Sequence, residues 1–251
     1  MALFLLYGWW ILSGKNTSNS ESRLIGIVGV GVVLRLLATF AIPVLSDDYF
    51  RFVWDGQLWI SRVNPFTILP SELAAESGRL LELGLSQEWF DSLNSPDYFT
   101  IYPPVLQGIF LLAAWTGNIT TGVLLMKGIV FIAELFSIWL LIRILRHLGK
   151  PLTHAGWYIL NPLVIIELSG SLHFEALMIT FVLASIWMLM KHKEVLSAAF
   201  LGLSVATKLL PLMFLPFLIR EIGFWRSVKY GLITGGVVLI LFLPMLSQEM
   251  L

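Results

Sequence analysis

The stretch Leu24–Leu45, LIGIVGVGVVLRLLATFAIPVL, contains Arg35 as its single charged residue. An apolar run of about 20 residues is long enough to cross the hydrocarbon core of a bilayer as an α-helix. Four further runs share this character: Gly122–Ile142, Ala155–Leu172, Ala176–Met190 and Tyr230–Leu246. Of the 251 residues, 57% are hydrophobic and only 13% are charged, about half the charged fraction of a soluble domain. The sequence therefore predicts an all-α, polytopic transmembrane helix bundle forming a single membrane domain over residues 1–251.

The charges divide unevenly, although their sum is zero. The segment Ser46–Thr100 contains nine acidic residues and three arginines, so its net charge of −6 is balanced by +6 elsewhere. No basic cluster occupies a soluble face, which argues against nucleic-acid binding. The absence of cysteine from the sequence excludes disulfides and thiol nucleophiles.

The basic residues predict the topology. Ten of the sixteen bases fall in four short connections: Lys15 and Arg23; Arg143, Arg146 and Lys150; Lys191 and Lys193; Arg220, Arg226 and Lys229. Short loops rich in lysine and arginine stay in the cytoplasm. All four connections lie on the cytoplasmic side only if two apolar segments do not cross the membrane. Each of these segments, Ile101–Ile119 and Leu196–Ile219, must enter and leave the membrane on the same side. We therefore predict that these two segments are re-entrant hairpins, which need a protein or aqueous environment.

In this topology residues 46–100 form the first large non-cytoplasmic loop. Its segments Asp48–Ser61 and Glu72–Leu83 have apolar residues at helical spacing, which predicts interfacial helices. The loop begins with the adjacent carboxylates of Asp47 and Asp48, which are candidate catalytic residues because a carboxylate can act as a general base on a hydroxyl.

A helix continuing from Asp48 brings Arg51 and Asp55 within one or two turns of the pair. We predict that Arg51 and Asp55 bind substrate beside Asp47 and Asp48. The alternative interpretation is that Ser46, Asp47 and Asp48 simply cap an interfacial helix, since serine and aspartate favour helix starts.

Ionisable residues within the apolar runs are functional hypotheses, because a charge at the bilayer centre costs about 2.5–3.5 kcal/mol. We expect Arg35 and Glu134 to pair with one another or with the backbone, and Lys127 to snorkel to the outer interface. Lys208 lies at the break of the second hairpin, beside Pro211, where a lone ammonium would bind an anion such as a lipid phosphate. Snorkelling to headgroups is the alternative for Lys208.

Three further residues are candidate ligand contacts at the outer face. Tyr102 precedes two prolines and could line a sugar site, although a structural turn is the simpler interpretation. His173 and Glu175 lie at an outer turn, where a phosphate contact competes with a merely hydrated turn. Their donor types could hold a divalent metal, but the spacing is not specific, so we predict neither a metal site nor a cofactor. Nucleotide-binding and serine-hydrolase motifs do not occur in the sequence.

Six short motifs follow one another through most of Leu24–Ile219. They are SDDYFRFVWDG at 46–56, NPF at 64–66, YPP at 102–104, NPL at 161–163, SLHFE at 171–175 and ATKLLP at 206–211. This ordered set resembles the polyprenol-phosphate-sugar-dependent membrane glycosyltransferases of the GT-C superfamily, and most closely their bacterial mannosyltransferase branch. The family's usual Gly-His-x-Asp turn reads here Leu172-His173-Phe174-Glu175.

The resemblance implies transfer of a hexose, expected to be mannose, from a polyprenyl-phosphate carrier to an acceptor hydroxyl with inversion. The acceptor would be a glycan, a lipid or another membrane molecule, and the reaction would occur on the outer face of a bacterial inner membrane. Asp47 occupies the position of the presumed base, with Asp48 next to it. The remaining matched positions, expected around the carrier phosphate and sugar, are Arg51, Tyr102, His173, Glu175 and Lys208.

Family members usually continue for several more spans after a position like Leu246, so we expect the C-terminal part of the family fold to be absent. Two other classes fit parts of the pattern. A lipid or solute transporter would also bury charges and break helices, but it predicts inverted repeats and a site near the midplane. A non-catalytic assembly subunit would need the aspartate pair only as a cap.

Overall fold

The computed structural model describes residues 4, 7, 8, 20–41, 43 and 46–246, and within them the chain is helical with no strand. The α-helices are α1 (Ser20–Phe40), α2 (Asp48–Ile60), α3 (Pro70–Ala75), α4 (Arg79–Glu82), α5 (Gln87–Asp91), α6 (Pro104–Ala114), α7 (Ile119–His147), α8 (Gly156–Ile159), α9 (Pro162–Val164), α10 (Glu175–Met190), α11 (Glu194–Val205), α12 (Leu215–Ile222) and α13 (Phe224–Phe242). A π-helix covers Ile165–Gly170, and 3₁₀ turns cover Leu152–Ala155, Leu210–Phe214 and Leu243–Met245. The predicted all-α membrane bundle is confirmed.

In the described part of the chain, three helices are long and apolar enough to cross a membrane, within α1, α7 and the α13 region. A fourth candidate is the pair Pro162–Gly170 and α10, which is bent by 114°. The prediction of one continuous helix over Ala155–Leu172 is wrong. Asn161 adopts an extended conformation before Pro162, as residues before proline prefer, and its side chain then caps the next turn by accepting from Leu163 N.

Helix α1 packs antiparallel to α7. Near the start of α1, Ile27 lies in one apolar cluster with Ile138, and further along Arg35 Nε lies 2.7 Å from Glu134 Oε2. At the other end Lys127 Nζ donates to the Ala38 carbonyl at 2.9 Å. The prediction that Lys127 snorkels to the interface is therefore wrong, because its ammonium satisfies carbonyls at the end of α1.

This antiparallel packing places the end of α1 and the start of α7 at the same end of the bundle. Residues 46–118, which include the acidic loop, connect these two helix ends in the sequence. We call this end of the bundle the acidic end. The segment Ile101–Ile119 contains only the 11-residue helix α6 before α7 begins, and it therefore enters and leaves at the acidic end. This agrees with the hairpin prediction.

Helices α10 and α11 form an antiparallel pair. Ser204 Oγ donates to the Met178 carbonyl at 2.8 Å, and Ser197 Oγ donates to the Ser185 carbonyl at 2.8 Å. Because α10 runs parallel to α7, with His147 packed edge-on against Trp187, α11 returns toward the acidic end.

The chain then turns back through Leu210–Phe214 and α12, and α13 starts again beside the start of α11. There Arg226 pairs with Glu194, and one turn later the Tyr230 hydroxyl lies 2.6 Å from Ser197 Oγ. The segment Leu196–Ile219 is thus a hairpin that begins and ends at the end of the bundle opposite the acidic loop.

The four predicted basic connections belong to that opposite end, which we call the basic end. Lys15 lies outside the described residues. The helix contacts given above place the other basic segments at the basic end: Arg23, Arg143–Lys150, 191–193 and 220–229.

Helix α2 lies across α6 at the acidic end. Their backbones approach closely because Gly56 has no Cβ; a methyl group there would lie 2.1 Å from the Phe110 carbonyl oxygen. The short helices α3–α5 pack around Trp54, which is fully buried. The predicted helix over Glu72–Leu83 is split into α3 and α4, because Gly78 adopts a left-handed conformation with φ 77°. This outer layer holds the start of α2 in place over the bundle.

Candidate active site

A cavity of about 550 Å³ opens at the acidic end, where four separate segments of the chain meet. Its polar walls are Asp48, Tyr102, His173, Glu175, Thr207 and Lys208. Its apolar surface consists of Phe52, Ile101, Pro103, Leu106, Leu172, Phe174, Leu209 and Leu210. Five of the eight predicted site residues therefore line one cavity, and Asp47, Arg51 and Asp55 lie outside its lining.

The two adjacent aspartates occupy different environments. Asp47 is the N-cap residue of α2 and is exposed, and its side chain accepts no cap hydrogen bond from the residues described there. Ser46 Oγ instead accepts from Asp48 N at 3.3 Å. The Asp48 carboxylate faces the cavity and accepts a hydrogen bond from Asn94 Nδ2 at 2.7 Å. The capping interpretation thus applies to Ser46, and Asp48 is free to face a ligand.

The turn carrying His173 and Glu175 has an unusual backbone. It follows the π-helix, so that Ser171 N donates to Ile166 O at 2.8 Å, and Leu172 adopts a left-handed conformation with φ 62°. π-Helical turns are frequent at functional sites, and strained left-handed residues other than glycine cluster there. The turn directs His173 into the cavity, with Nδ1 3.2 Å from Glu167 Oε2 behind it.

Lys208 follows α11 and pairs with Glu175 across the cavity wall. The end of α11 is tied to the start of α6 by a hydrogen bond from Val105 N to Ala206 O at 3.1 Å. The expectation of a lone ammonium is therefore corrected, because Lys208 has a carboxylate partner. Its side chain is about half exposed (53%), which leaves it accessible to an anion in the cavity.

Tyr102 packs edge-on against Phe52 and Phe110, with ring centroids 5.0 and 5.3 Å apart. Burial, and then the nearby charge of Asp48, raise the pKa of the Tyr102 hydroxyl well above its ordinary value. The group therefore stays protonated at neutral pH and can donate a hydrogen bond to an oxygen in the cavity.

Arg51 and Asp55 form a buried pair behind the cavity wall. Arg51 Nε lies 2.7 Å from Asp55 Oδ1, and the other carboxylate oxygen accepts from Thr100 Oγ1 at 2.5 Å and Gln107 Nε2 at 3.2 Å. Burial raises the pKa of the Asp55 carboxyl, against the neighbouring Arg51 guanidinium, which lowers it. The predicted contact of Arg51 and Asp55 with substrate stays a prediction.

The buried pair also supports the cavity wall. Arg51 Nη1 donates to the carbonyls of Ser95 and Tyr98 at 3.1 and 3.0 Å, which fixes the segment that leads into Tyr102. Asn94, at the start of this segment, was missed in the sequence because no motif contains it. Among the described residues, no group of three histidine or acidic side chains is placed to hold a metal ion.

The chain is similar to mannosyltransferases. A family model described as alpha-(1->6)-mannopyranosyltransferase, N-terminal domain, matches residues 1–222. The chain is 26% identical over 226 residues to alpha-(1->6)-mannopyranosyltransferase A of Corynebacterium glutamicum, covering 86% of this chain and 44% of the relative. It is 23% identical over 246 residues to the protein of the same name from Mycobacterium tuberculosis, covering 95% and 46%.

A more distant relative is GPI mannosyltransferase 1 of Aspergillus oryzae, 29% identical over 124 residues, covering 47% of this chain and 28% of the relative. No solved structure matches the chain significantly. The chain spans less than half the length of the two bacterial relatives. Because the family model covers most of the chain, the protein belongs to the alpha-(1->6)-mannopyranosyltransferase family and carries its N-terminal domain.

Proposed function

We propose that this chain forms the donor-binding and catalytic part of a mannosyltransferase, and that the cavity at the acidic end binds a polyprenyl-phosphate-linked mannose. The observation that carries the proposal is the meeting of Asp48, Tyr102, His173, Glu175 and Lys208 around one cavity. The relatives are mannosyltransferases by name, which favours an enzyme over a transporter or an assembly subunit.

The charge pattern of the cavity suits a phosphate-linked sugar. Lys208 offers a cation for the carrier phosphate, and Tyr102 offers a hydroxyl donor to a phosphate or sugar oxygen. Leu209 and Leu210, both more than half exposed, form an apolar rim beside Lys208. A lipid phosphate needs this combination, because its charge must be neutralised next to an apolar chain.

The transfer needs a base, since a neutral hydroxyl is a weak nucleophile. We propose that an aspartate of the Asp47–Asp48 pair removes the acceptor's hydroxyl proton while its oxygen attacks the anomeric carbon. The bond from that carbon to the carrier phosphate breaks, and its electron pair leaves with the phosphate, which Lys208 stabilises. Attack from the face opposite the phosphate inverts the anomeric carbon, so an α-linked product requires a β-linked donor.

Within the pair, the orientation of the carboxylates favours Asp48 as the base. Asp48 lines the cavity and is held by Asn94, whereas Asp47 is exposed at the N-cap of α2. We also propose that the acidic end faces the outside of a bacterial inner membrane, because the basic connections lie at the opposite end.

The test is transfer of radiolabelled mannose from polyprenyl-phosphate mannose to membrane acceptors, in membranes containing the full chain. We expect Asp48→Asn to lower the rate at least about 100-fold, the lower range for loss of a general base. Asp47→Asn should retain most of the rate. Asp97→Asn is the matched control, because Asp97 is an exposed aspartate of the same loop outside the cavity.

Wild-type transfer by Asp48→Asn, at equal amounts of protein in the membrane, would refute the assignment of Asp48. A loss of transfer in Asp47→Asn alone would identify Asp47 as the base and leave the proposed reaction unchanged. If membranes with the wild-type chain transfer no more mannose than membranes without it, the proposed activity of this chain is wrong.

A further inference from the structure

Glu167 lies behind His173, outside the cavity. The His173 Nδ1 and Glu167 Oε2 atoms are 3.2 Å apart, and both side chains are about one third exposed. His173 lines the cavity and Glu167 does not. Glu167 can therefore contact a molecule in the cavity only through the imidazole.

The contact between Glu167 and His173 depends on the irregular backbone of this turn. Two residues six apart in a regular α-helix are separated by about 9 Å along the axis and point about 120° apart, so they would not meet. Here the π-helix Ile165–Gly170 and the left-handed Leu172 fold the chain back, and His173 N donates to Leu168 O at 3.3 Å. The strained conformation thus brings a carboxylate to an imidazole.

Carboxylates face His173 from three sides. Behind it is Glu167, beside it on α10 is Glu175, and across the cavity is Asp48. Tyr102 is uncharged at neutral pH, as tyrosine ordinarily is, and burial raises its pKa further. Lys208 is the fixed cation among the described lining residues, and an anion in the cavity must share it with Glu175. An entering phosphate monoanion therefore needs a second positive charge.

We infer that Glu167 is a positioning residue of the donor site, holding His173 so that its imidazole faces the carrier phosphate and takes up a proton when the phosphate binds. An imidazolium in that position lies between two anions, the Glu167 carboxylate and the phosphate, and attracts both. This inference rests on the proposed function, because it requires that the cavity binds the phosphate of the carrier.

The test is isothermal titration calorimetry of the purified full chain in detergent with polyprenyl phosphate at pH 7.5. Titration in two buffers of different ionisation enthalpy gives the number of protons taken up on binding. Polyprenyl phosphate itself exchanges a proton near neutral pH, and nearby charges affect that exchange. The titration is therefore repeated with a polyprenyl methyl phosphate diester, whose single charge does not titrate in this range, so that its proton count reports on the protein. Inorganic phosphate at the same concentration distinguishes a lipid-phosphate site from a general anion site, and we expect no measurable heat from it.

We expect Glu167→Gln to weaken the binding of polyprenyl phosphate about two- to fivefold, the range for a partly exposed ion pair. Its proton uptake should fall below that of the wild type. His173→Gln should lose the uptake, and the double variant should be no weaker than His173→Gln alone, because both residues act through one contact. Glu221→Gln, which changes an exposed carboxylate at the basic end, is the control and should match the wild type.

Wild-type affinity and wild-type proton uptake in Glu167→Gln would overturn the inference, as would effects that add in the double variant. If Glu167→Gln does not fold, Glu167→Asp takes its place; it keeps the carboxylate and should retain the proton uptake that His173→Gln loses. Equal uptake in the wild type, Glu167→Asp and His173→Gln would also overturn the inference. Failure of the wild type to bind polyprenyl phosphate would refute the proposed function itself, and the two failures are therefore distinguishable.

Discussion

Replacement of Arg51 by methionine should destabilise the protein strongly, because it leaves the Asp55 carboxylate buried without its cation. Arg51 is 3% exposed and Asp55 is fully buried, so water cannot replace the lost partner. Removing one member of a buried ion pair costs about 3–5 kcal/mol. For a chain of this length each kcal/mol lowers the melting temperature by about 2–4 °C, so we expect a decrease of about 6–20 °C.

The decrease should depend on pH. Burial raises the pKa of Asp55 in the folded protein, and loss of the opposing Arg51 charge raises it further. Above that pKa the buried charge destabilises the fold, whereas below the ordinary pKa the neutral acid does not, so stability falls as pH rises through the folded pKa. The melting temperature of Arg51→Met should therefore lie closer to that of the wild type at pH 5 than at pH 7.5.

Thermal unfolding of the purified chain in detergent, followed by circular dichroism at both pH values, measures this effect. The control is the double variant Arg51→Met/Asp55→Leu, which removes the buried carboxylate together with its cation and should therefore lose the pH dependence of Arg51→Met. A melting temperature of Arg51→Met within about 2 °C of the wild type at pH 7.5 would refute the reasoning, because it corresponds to about 1 kcal/mol or less. An equal loss at both pH values would refute the part that concerns Asp55.

Three further predictions concern packing, the site and topology. Gly56→Ala should destabilise the fold by about 1–3 kcal/mol in the same unfolding assay, because its methyl group meets the Phe110 carbonyl, whereas Gly29→Ala has open space and should be neutral. Asn94→Ala should lower mannosyl transfer about three- to tenfold by releasing Asp48, with little change in binding of polyprenyl phosphate; equal losses in both assays would contradict a role confined to Asp48. The sequence has no native cysteine, so single cysteines can be introduced at Ser92 and at Lys150. A cysteine at Ser92 should react with an impermeant maleimide added outside the cell, whereas a cysteine at Lys150 should react only after permeabilisation. The reverse pattern would show that the orientation is opposite to the one proposed.

Periodicity and charge predicted much of the architecture. The apolar runs located α1, α7, α10 and α13, since a long apolar stretch has few alternatives to a membrane helix. The distribution of lysine and arginine also separated the two hairpins from the full spans, which apolar character alone does not. It could do so because the side on which each basic loop lies depends on how many preceding segments cross the membrane.

The local backbone of the site could not be predicted in the same way. Asn161-Pro162 indicated a turn, but no local signal indicated the π-helix, which packs against α1 and α7, or the left-handed Leu172. The contacts between Glu175 and Lys208 and between Asn94 and Asp48 join residues 33 and 46 positions apart. Such pairs depend on the tertiary structure, so the sequence could suggest the members of the site but not their partners.

The buried network of Asp55 shows an intermediate case. The spacing of Arg51 and Asp55, four residues apart on a predicted helix, indicated their pairing, and the structure has that pair at 2.7 Å. Thr100 and Gln107, which complete the network, were missed. Gln107 was nevertheless detectable, because a polar amide inside an apolar helix requires a buried partner.

Photo-crosslinking can establish whether the cavity at the acidic end binds the polyprenyl-phosphate carrier. A polyprenyl phosphate with a photoreactive group in its first isoprene unit would be irradiated with the wild-type chain in membranes, and the labelled peptides identified by mass spectrometry. We predict labelling of Ile101, Leu209 and Leu210 at the apolar rim, suppressed by excess unlabelled polyprenyl phosphate. Labelling confined to α13 or to the basic end, or labelling that the competitor does not suppress, would show that this cavity is not the carrier site.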